Sequence, residues 1–331
     1  MNKSKRYPFV VLIVLNYNGE EILGKCLNSL LRTNYPNFKI VVVDNGSTDN
    51  SIKIIRKYFK GKVDLIVNKK NLGFSKGMNI GIKYALKEYK PEFIGLLNND
   101  LIFHEKKWLV KIINVMENNT SIGIASPTLI FPNGELQQVG KEKIKNDLLS
   151  LVRLFTPFLD KEYNHSGKSQ VLIEVDVLFG PCLIVRRDIL DKVGLLDERY
   201  TPFLFEDVEY SLRIKKHKYK SVIVCNSKVI HLVSYSMNKM LKNDKEKDLY
   251  KTYVFARNGL LLSLEYFGLF KTSLIAFPLI TFHILFERKN KRQNYSLLNI
   301  HLRENLRKRL KYLVKAFINA MKISNPSCYL K

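Results

Sequence analysis

The amino-acid sequence predicts an α/β protein with a mostly parallel central sheet flanked by helices and a helical, basic C-terminal extension. Three observations carry this. Short β-branched runs alternate with helically spaced apolar residues through the first hundred positions, the pattern of strands joined by crossover helices. The first run, FVVLIVLN (9–16), is apolar without alternation, as in a strand covered on both faces. The predicted strands end at Asn16, Asp44, Asn68 and Asp100, so polar side chains gather at the carboxyl ends, where such sheets bind ligands.

The elements follow in order. After the first strand, GEEILGKCLNSLLRT places Ile22, Leu23, Cys26, Leu27, Leu30 and Leu31 on one helical face. KIVVVDNGSTDNS (39–51) is a strand ending in Asp44, with Ser47 or Thr48 expected to cap the helix around IKIIRKYF. DLIVN (64–68) is a third strand, GFSKGMNIGIKYALKEY (73–89) a third helix and FIGLLNND (93–100) a fourth strand. Beyond residue 120 the pattern loosens. PTLIFPNGELQQVG is a hairpin or loop with an Asn-Gly turn, and 141–170 a polar excursion. VDVLFGPCLIVRRDIL (175–190) resumes as strand, Gly-Pro turn, strand and helix start. An acidic helix start at Glu206-Asp207 and a last strand ending near His231 complete the pattern.

The formal charge is +25, from 55 Lys and Arg against 30 Asp and Glu. From Lys251 to Lys331 there are 15 basic residues against three Glu, so this tail contributes +12. Such a surface attracts polyanions: anionic lipid, nucleic acid or a phosphorylated small molecule. The basic residues form no recognisable nucleic-acid module, and no nucleic-acid partner is expected. Cys26, Cys182 and Cys225 sit in apolar contexts without a CxxC pair, as buried free thiols of a reducing compartment. The N-terminal apolar run is short and lacks a small-residue cleavage site, so this part is expected to be cytoplasmic. YFGLFKTSLIAFPLITFHILF (266–286) approaches the length of a bilayer core, and LRENLRKRLKYLVKAFINAMKI is basic and amphipathic. Contact with the inner face of the cell membrane is expected. Whether 266–286 spans, lies on or avoids the bilayer stays open, and a helical subdomain is the alternative.

Several residues could carry chemistry. Asp44 is either the acceptor of an Asx-turn or a hydrogen-bond partner for a nucleoside. No GxGxxG or GxxxxGK[ST] is present, which disfavours dinucleotide and P-loop sites. Asp100 could simply cap the segment after it. Alternatively, it could offer a hard oxygen to Mg²⁺ or Mn²⁺, with diphosphate oxygens and water completing the shell and Asn98 or Asn99 orienting them. Glu206-Asp207 is either an acidic first turn favoured by the helix dipole or a general base beside Phe203 and Phe205. His231 is a strand-end histidine or a late metal ligand.

VLNYNGEE, VVVDNGSTDNS, NLGFSKGMNIGI, LLNND, GPCLIVRRDILDKVGLLDERYTPFLFEDVEYSLR, HLVSYS and FARNGLLL occur in an order and spacing that resembles the inverting family 2 glycosyltransferases of GT-A fold. The resemblance is to the rhamnosyltransferase-like branch and covers residues 8–262. It implies a catalytic domain over 1–262 and an apolar, basic helical region over 263–331. It also implies that Asn16, Tyr17, Asn18 and Glu20 line a donor-binding loop, that Asp44 contacts the nucleoside, and that Asn71, Gly73 and Asn79 shape the floor under the diphosphate. Asn98-Asn99-Asp100 stands in place of the family's Asp-X-Asp motif, departing from it at Asn98. Asp100 and His231 are then the ligands of Mg²⁺ or Mn²⁺, and Asp207 the base, with Glu206 its rival.

The implied reaction is a single displacement that moves a sugar, hexosyl or rhamnosyl, from a UDP- or dTDP-sugar to a hydroxyl of a saccharide or lipid-linked acceptor. Such a reaction belongs to cell-surface polysaccharide synthesis. Two rivals remain: a catalytically inactive, membrane-docked scaffold, and a basic nucleic-acid-binding protein.

Overall fold

The computed structural model describes residues 6–137, 139–141, 144, 145, 147, 171–232, 244–276, 278 and 306–324. Strand β1 (Val10–Asn16) runs through the middle of the parallel region, with Val10 to Val14 wholly buried. It pairs in parallel with β2 (Phe38–Asp44) and with β4 (Phe93–Asn98), and β2 pairs in parallel with β3 (Asp64–Val67). Three helices make the connections: α1 (Leu23–Leu31), α2 (Ser51–Tyr58) and α3 (Phe74–Glu88). The apolar spacing of α1 buries Leu23, Cys26, Leu27 and Leu30. Burying a side chain of this size contributes about 1.5–3 kcal/mol, so the two-sided burial of β1 anchors the core.

The second half of the sheet is mixed. Asn99 and Asp100 form a turn after β4, and the two-residue strand β5 (Leu101–Ile102) comes next. Helix α4 (Trp108–Asn118) turns Trp108, Leu109, Ile112, Ile113 and Met116 inward and leads to β6 (Ile122–Ile130). Phe131 N–H donates to Glu135 O and Gly134 N–H to Phe131 O, closing the expected Asn-Gly turn. Short strands β7 (Gly140–Lys141) and β9 (Val177–Leu178) pair with each other, while β8 (Leu172–Val175) joins the main sheet. β10 (Cys182–Arg186) lies antiparallel between β4 and β6. Helix α5 (Arg187–Val193), helix α6 (Glu206–Lys216) and strand β11 (Lys220–His231) complete this region. The strand order is β3-β2-β1-β4-β10-β6-β11-β5, with β8 beside β11.

The described residues divide into two compact units, the second taking in Pro202–Phe205 and everything described beyond Met237. Within it, α7 (Asp244–Lys271) packs on α8 (Leu306–Ser324), with Tyr253 against Tyr312 and Asn319 Nδ2 donating to Tyr253 OH at 2.7 Å. Position 262 lies inside α7, whose helical path is broken at Gly268 by a left-handed φ of 79°.

Other expectations change locally. The fourth strand ends at Asn98 rather than at Asp100. Neither Ser47 nor Thr48 caps α2: Asn50 holds that position, and Ser47 turns back to Asp44. Most of 141–170 and residues 279–286 of the apolar C-terminal stretch lie outside the described residues. Among the described residues, no helix is long and apolar enough to cross a membrane.

Candidate active site

The loops after β1 and β2 are stitched together by side chains. Asp44 is fully buried. Its Oδ1 accepts Ser47 N–H at 2.9 Å, and its Oδ2 accepts Asn16 Nδ2 at 2.8 Å and Ser47 Oγ at 2.7 Å. The turn role is therefore filled, and the carboxylate holds the loop after it. Asn99 Nδ2 donates to Asn16 Oδ1 at 2.7 Å, extending the chain of bonds across the ends of β4, β1 and β2. Asn18, in the left-handed region at φ 48°, accepts Thr48 N–H, while Glu20 Oε2 accepts both nitrogens of Asn50. Tyr17 is half-buried in the same loop. Gly19 is required for close approach: a Cβ there would lie 2.3 Å from Asn16 Oδ1 and 2.4 Å from Asn99 Nδ2.

Asn71 accepts from Asn45 Nδ2 and from Gly73 N–H, so the segment entering α3 is tied to the end of β2. Asn79 takes a different place. It is buried on α3 and bonds the backbone of Leu196 in both directions and Glu198 Oε1, holding the segment after α5.

Asp100 and His231 come together because β5, directly after Asp100, pairs antiparallel with the end of β11, setting His231 opposite Leu101. His231 Nε2 lies 3.4 Å from Asp100 Oδ1, a buried oxygen with no hydrogen-bond partner among the described residues. At that distance the pair is close enough to be shared by one bound ion but too long for a good hydrogen bond. On the other side of the ring, Nδ1 lies 3.0 Å from Gln137 Oε1, and Gln137 Nε2 donates to the His231 carbonyl at 3.0 Å. The amide oxygen can only accept, so Nδ1 carries a proton, and the tautomer of the neutral ring that this bond selects presents the Nε2 lone pair toward Asp100. Among the described residues, no cluster of three or more His, Cys, Asp and Glu side chains surrounds a point. The two side chains would fit a hard divalent cation that keeps water and shares substrate oxygens, since the carboxylate oxygen has no hydrogen-bond partner among the described residues.

Glu206 and Asp207 open α6, whose first turn is acidic and last turn basic, matching the helix dipole. The preceding residues Leu204 and Phe205 are both left-handed, at φ 74° and 70°. For residues with a Cβ this costs about 1–2 kcal/mol each. Asp207 Oδ2 accepts Gly180 N–H at 2.7 Å and its Oδ1 accepts Val208 N–H at 2.8 Å. A Cβ at Gly180 would press on Asp207 at 3.0 Å, so glycine there lets the carboxylate approach the amide. Pro181 O in turn accepts Asn98 N–H, which ties the Asp207 anchor to the end of β4, two residues before Asp100.

Burial raises the proton affinity of Asp207, and the Gly180 and Val208 amides oppose that rise. Glu206 is pushed well above the usual carboxylate range, first by burial and then by the charge of Asp207. Its Oε2 is buried with no hydrogen-bond partner among the described residues. Of the two, Asp207 has the amide donors that favour its charged form, while burial and the charge of Asp207 both favour the protonated form of Glu206.

The family model of glycosyl transferase family 2 matches residues 11–194. The chain belongs to glycosyl transferase family 2. It is 23% identical over 259 residues to the low-salt glycan biosynthesis hexosyltransferase Agl10 of Haloferax volcanii, covering 78% of this chain and 76% of the relative. It is 28% identical over 124 residues to the UDP-Glc:alpha-D-GlcNAc-diphosphoundecaprenol beta-1,3-glucosyltransferase WfgD of Escherichia coli, covering 38% and 47%. The chain spans between 18% and 76% of the length of the first few curated relatives it matches. Among solved structures, S. aureus TarS 1-349 in complex with UDP superposes with a TM-score of 0.55 at 19% identity, over 94% of this chain and 80% of that one. The mannosyltransferase PcManGT of Pyrobaculum calidifontis, in complex with GDP-Man and Mn²⁺, gives 0.53 at 13% identity, over 98% and 79%. The fold is GT-A.

Family 2 residues read from the sequence thus fall into two sets: Asp100, His231 and Asp207 present open polar atoms or a tuned carboxylate, while Asn16, Asp44, Asn79 and Asn99 are buried in bonds within the chain. Gln137, Gly180 and Asn45 were not singled out in the sequence. Gln137 stands in an ordinary polar loop, and its role appears only through its bond to His231. Asn45, beside Asp44, bonds Asn68, Asn71, Leu72 and Gly73, and its position at a strand end was the one available signal.

Proposed function

We propose that this chain transfers a sugar from a nucleotide-diphosphate donor to an acceptor hydroxyl in one displacement, with inversion at the anomeric carbon. The observation that carries the reading is the Asp100 oxygen, buried and without a hydrogen-bond partner among the described residues, 3.4 Å from His231 Nε2. Asp207 takes the proton of the acceptor hydroxyl as that oxygen attacks the anomeric carbon and the bond to the diphosphate breaks. Its raised proton affinity suits this step. Asp100 and His231 would hold Mg²⁺ or Mn²⁺, which when bound offsets charge on the leaving diphosphate. The imidazole ligand favours Mn²⁺, and two structural neighbours, PcManGT and GalNAc-T7, were solved with Mn²⁺. Tyr17, Asn18, Glu20, Asn71, Gly73 and Asn98 form the rim on which the donor is read, braced from below by Asn16, Asp44 and Asn99. The resemblance to the rhamnosyltransferase-like branch, the UDP bound to TarS and the UDP-glucose in the WfgD name support a UDP- or dTDP-sugar.

A saccharide or lipid-linked acceptor at the cytoplasmic membrane face fits the outer stripe of α8. Lys311, Val314, Lys315, Ile318 and Lys322 are exposed along it, while Leu313, Ala316 and Ala320 are buried. Lysines interleaved with β-branched residues suit an anionic lipid surface. Cosedimentation with vesicles containing phosphatidylglycerol should fall when these three lysines become glutamate, and unchanged binding would remove this part of the reading.

The deciding experiment is thermal stabilisation by UDP, dTDP, GDP and CDP with and without Mn²⁺ or Mg²⁺. Ligand at a hundredfold over Kd adds about 2.7 kcal/mol. A metal-dependent shift with one nucleotide, lost in Asp100→Ala, is expected. No shift with any of them would point to an inactive scaffold.

A further inference from the structure

We propose that Asn258, on α7, is a positioning residue for Asp207: it holds the carbonyls of Phe203 and Leu204, the two peptide groups flanking the left-handed Leu204 ahead of α6, and so sets where the carboxylate stands. This rests on the reading of Asp207 as the base.

The Asn258 side chain is wholly buried and both ends of its amide are engaged. Nδ2 donates to Phe203 O at 2.9 Å and to Leu204 O at 2.8 Å. Oδ1 accepts Nε and one terminal nitrogen of Arg257 at 2.8 and 2.5 Å. A guanidinium can only donate, so Arg257 fixes which end of the amide faces the carbonyls. The same segment is held by Phe205, whose ring packs on Phe255 at 5.4 Å between centroids.

Leu204 and Phe205 would leave the left-handed region if nothing held them, and such conformations persist where surrounding bonds over-determine them. Only Phe205, itself packed on Phe255, stands between the held carbonyls and the helix start at Glu206, which leaves little chain to absorb a change in direction. A relaxed Leu204–Phe205 would therefore re-aim the first turn of α6 and draw Asp207 Oδ2 off Gly180 N–H.

The Gly180 amide is the probe, because it donates to Asp207 and its protection against exchange reports the carboxylate's position without any donor or acceptor. Amide exchange is followed by NMR or by fragment-resolved mass spectrometry in Asn258→Ala and in the near-isosteric Asn258→Asp, whose carboxylate cannot donate to two carbonyls. Asp207→Ala supplies the unprotected reference. In either Asn258 variant, exchange at Gly180 is expected to rise about tenfold or more while Val11–Val14 stay protected. Adding Leu204→Gly, which tolerates the left-handed conformation unaided, is expected to restore most of that protection. Unchanged Gly180 exchange, a loss spread into the core strands, or no recovery with Leu204→Gly would each overturn the proposal. Failure of the glycosyl-transfer reading would show instead in the nucleotide screen, leaving these exchange rates as they are.

Discussion

His231 Nε2 faces Asp100 Oδ1 across 3.4 Å, and Gln137 holds the opposite edge of the same ring at 3.0 Å. The amide of Gln137 selects the tautomer in which Nε2 can bind a cation. Removing such an outer partner lowers metal affinity by about 10–100-fold. Gln137→Leu is expected to weaken Mn²⁺ binding by this factor in a titration of free Mn²⁺ by electron paramagnetic resonance, and Gln137→Glu, which still accepts from Nδ1, to retain it. Equal affinity in all three proteins would mean that His231 is not a ligand.

Asp207→Asn keeps an oxygen to accept Gly180 N–H but cannot take a proton. Turnover with the donor identified by the nucleotide screen is expected to fall by about 10²–10⁴-fold, with nucleotide-induced stabilisation unchanged. Loss of both together would instead assign Asp207 to donor binding.

The pH dependence of turnover depends on the same contacts. Burial lifts Asp207 above its ordinary value of 3.8, and the Gly180 amide pulls it back. The base works when deprotonated, so the acid limb of the rate profile should lie above that ordinary value. Gly180→Ala crowds Asp207 and weakens this bond, so it should move the limb to higher pH. A shift to lower pH would contradict the assignment.

Glu206 affects stability. Its folded-state proton affinity is raised by burial and by Asp207, so the folded chain holds a proton that the unfolded chain has released once pH exceeds the ordinary 4.5. Stability from this group is complete below that value and declines as pH rises toward the folded-state pKa. Glu206→Gln removes the titration, so its melting temperature should gain on the wild type between pH 5 and pH 8. A difference independent of pH would show that Glu206 is not held protonated.

Gly19→Ala would drive a methyl group into the Asn16–Asn99 hydrogen bond. Overpacking of this kind costs about 1–3 kcal/mol. Chemical denaturation should show that loss, and nucleotide stabilisation should weaken with it because the loops after β1 and β4 separate.

The strand–helix alternation up to β4 was legible because each element is specified locally: a continuous apolar run marks β1, and residues three and four apart mark α1. The polar strand ends were legible for the same reason, since a parallel sheet sends its carboxyl ends to one side. The sequence by itself therefore determined the α/β class, the gathering of polar strand ends on one side of the sheet and the candidates Asp100, Glu206-Asp207 and His231. Only the tertiary structure decided what those residues meet. A two-residue strand, β5, has no periodicity to read, yet its pairing with β11 brings His231 to Asp100. Asp44 could have faced a ligand or its own turn, and closure of the Ser47 loop decided for the turn. Glu206 and Asp207 are adjacent carboxylates that spacing cannot rank. Two backbone amides, one of them 27 residues away at Gly180, favour the charged form of Asp207, whereas Glu206 Oε2 has no hydrogen-bond partner among the described residues. Contacts between distant segments set the local dielectric and the hydrogen-bond supply, and those quantities turn a carboxylate into a brace, a ligand or a base.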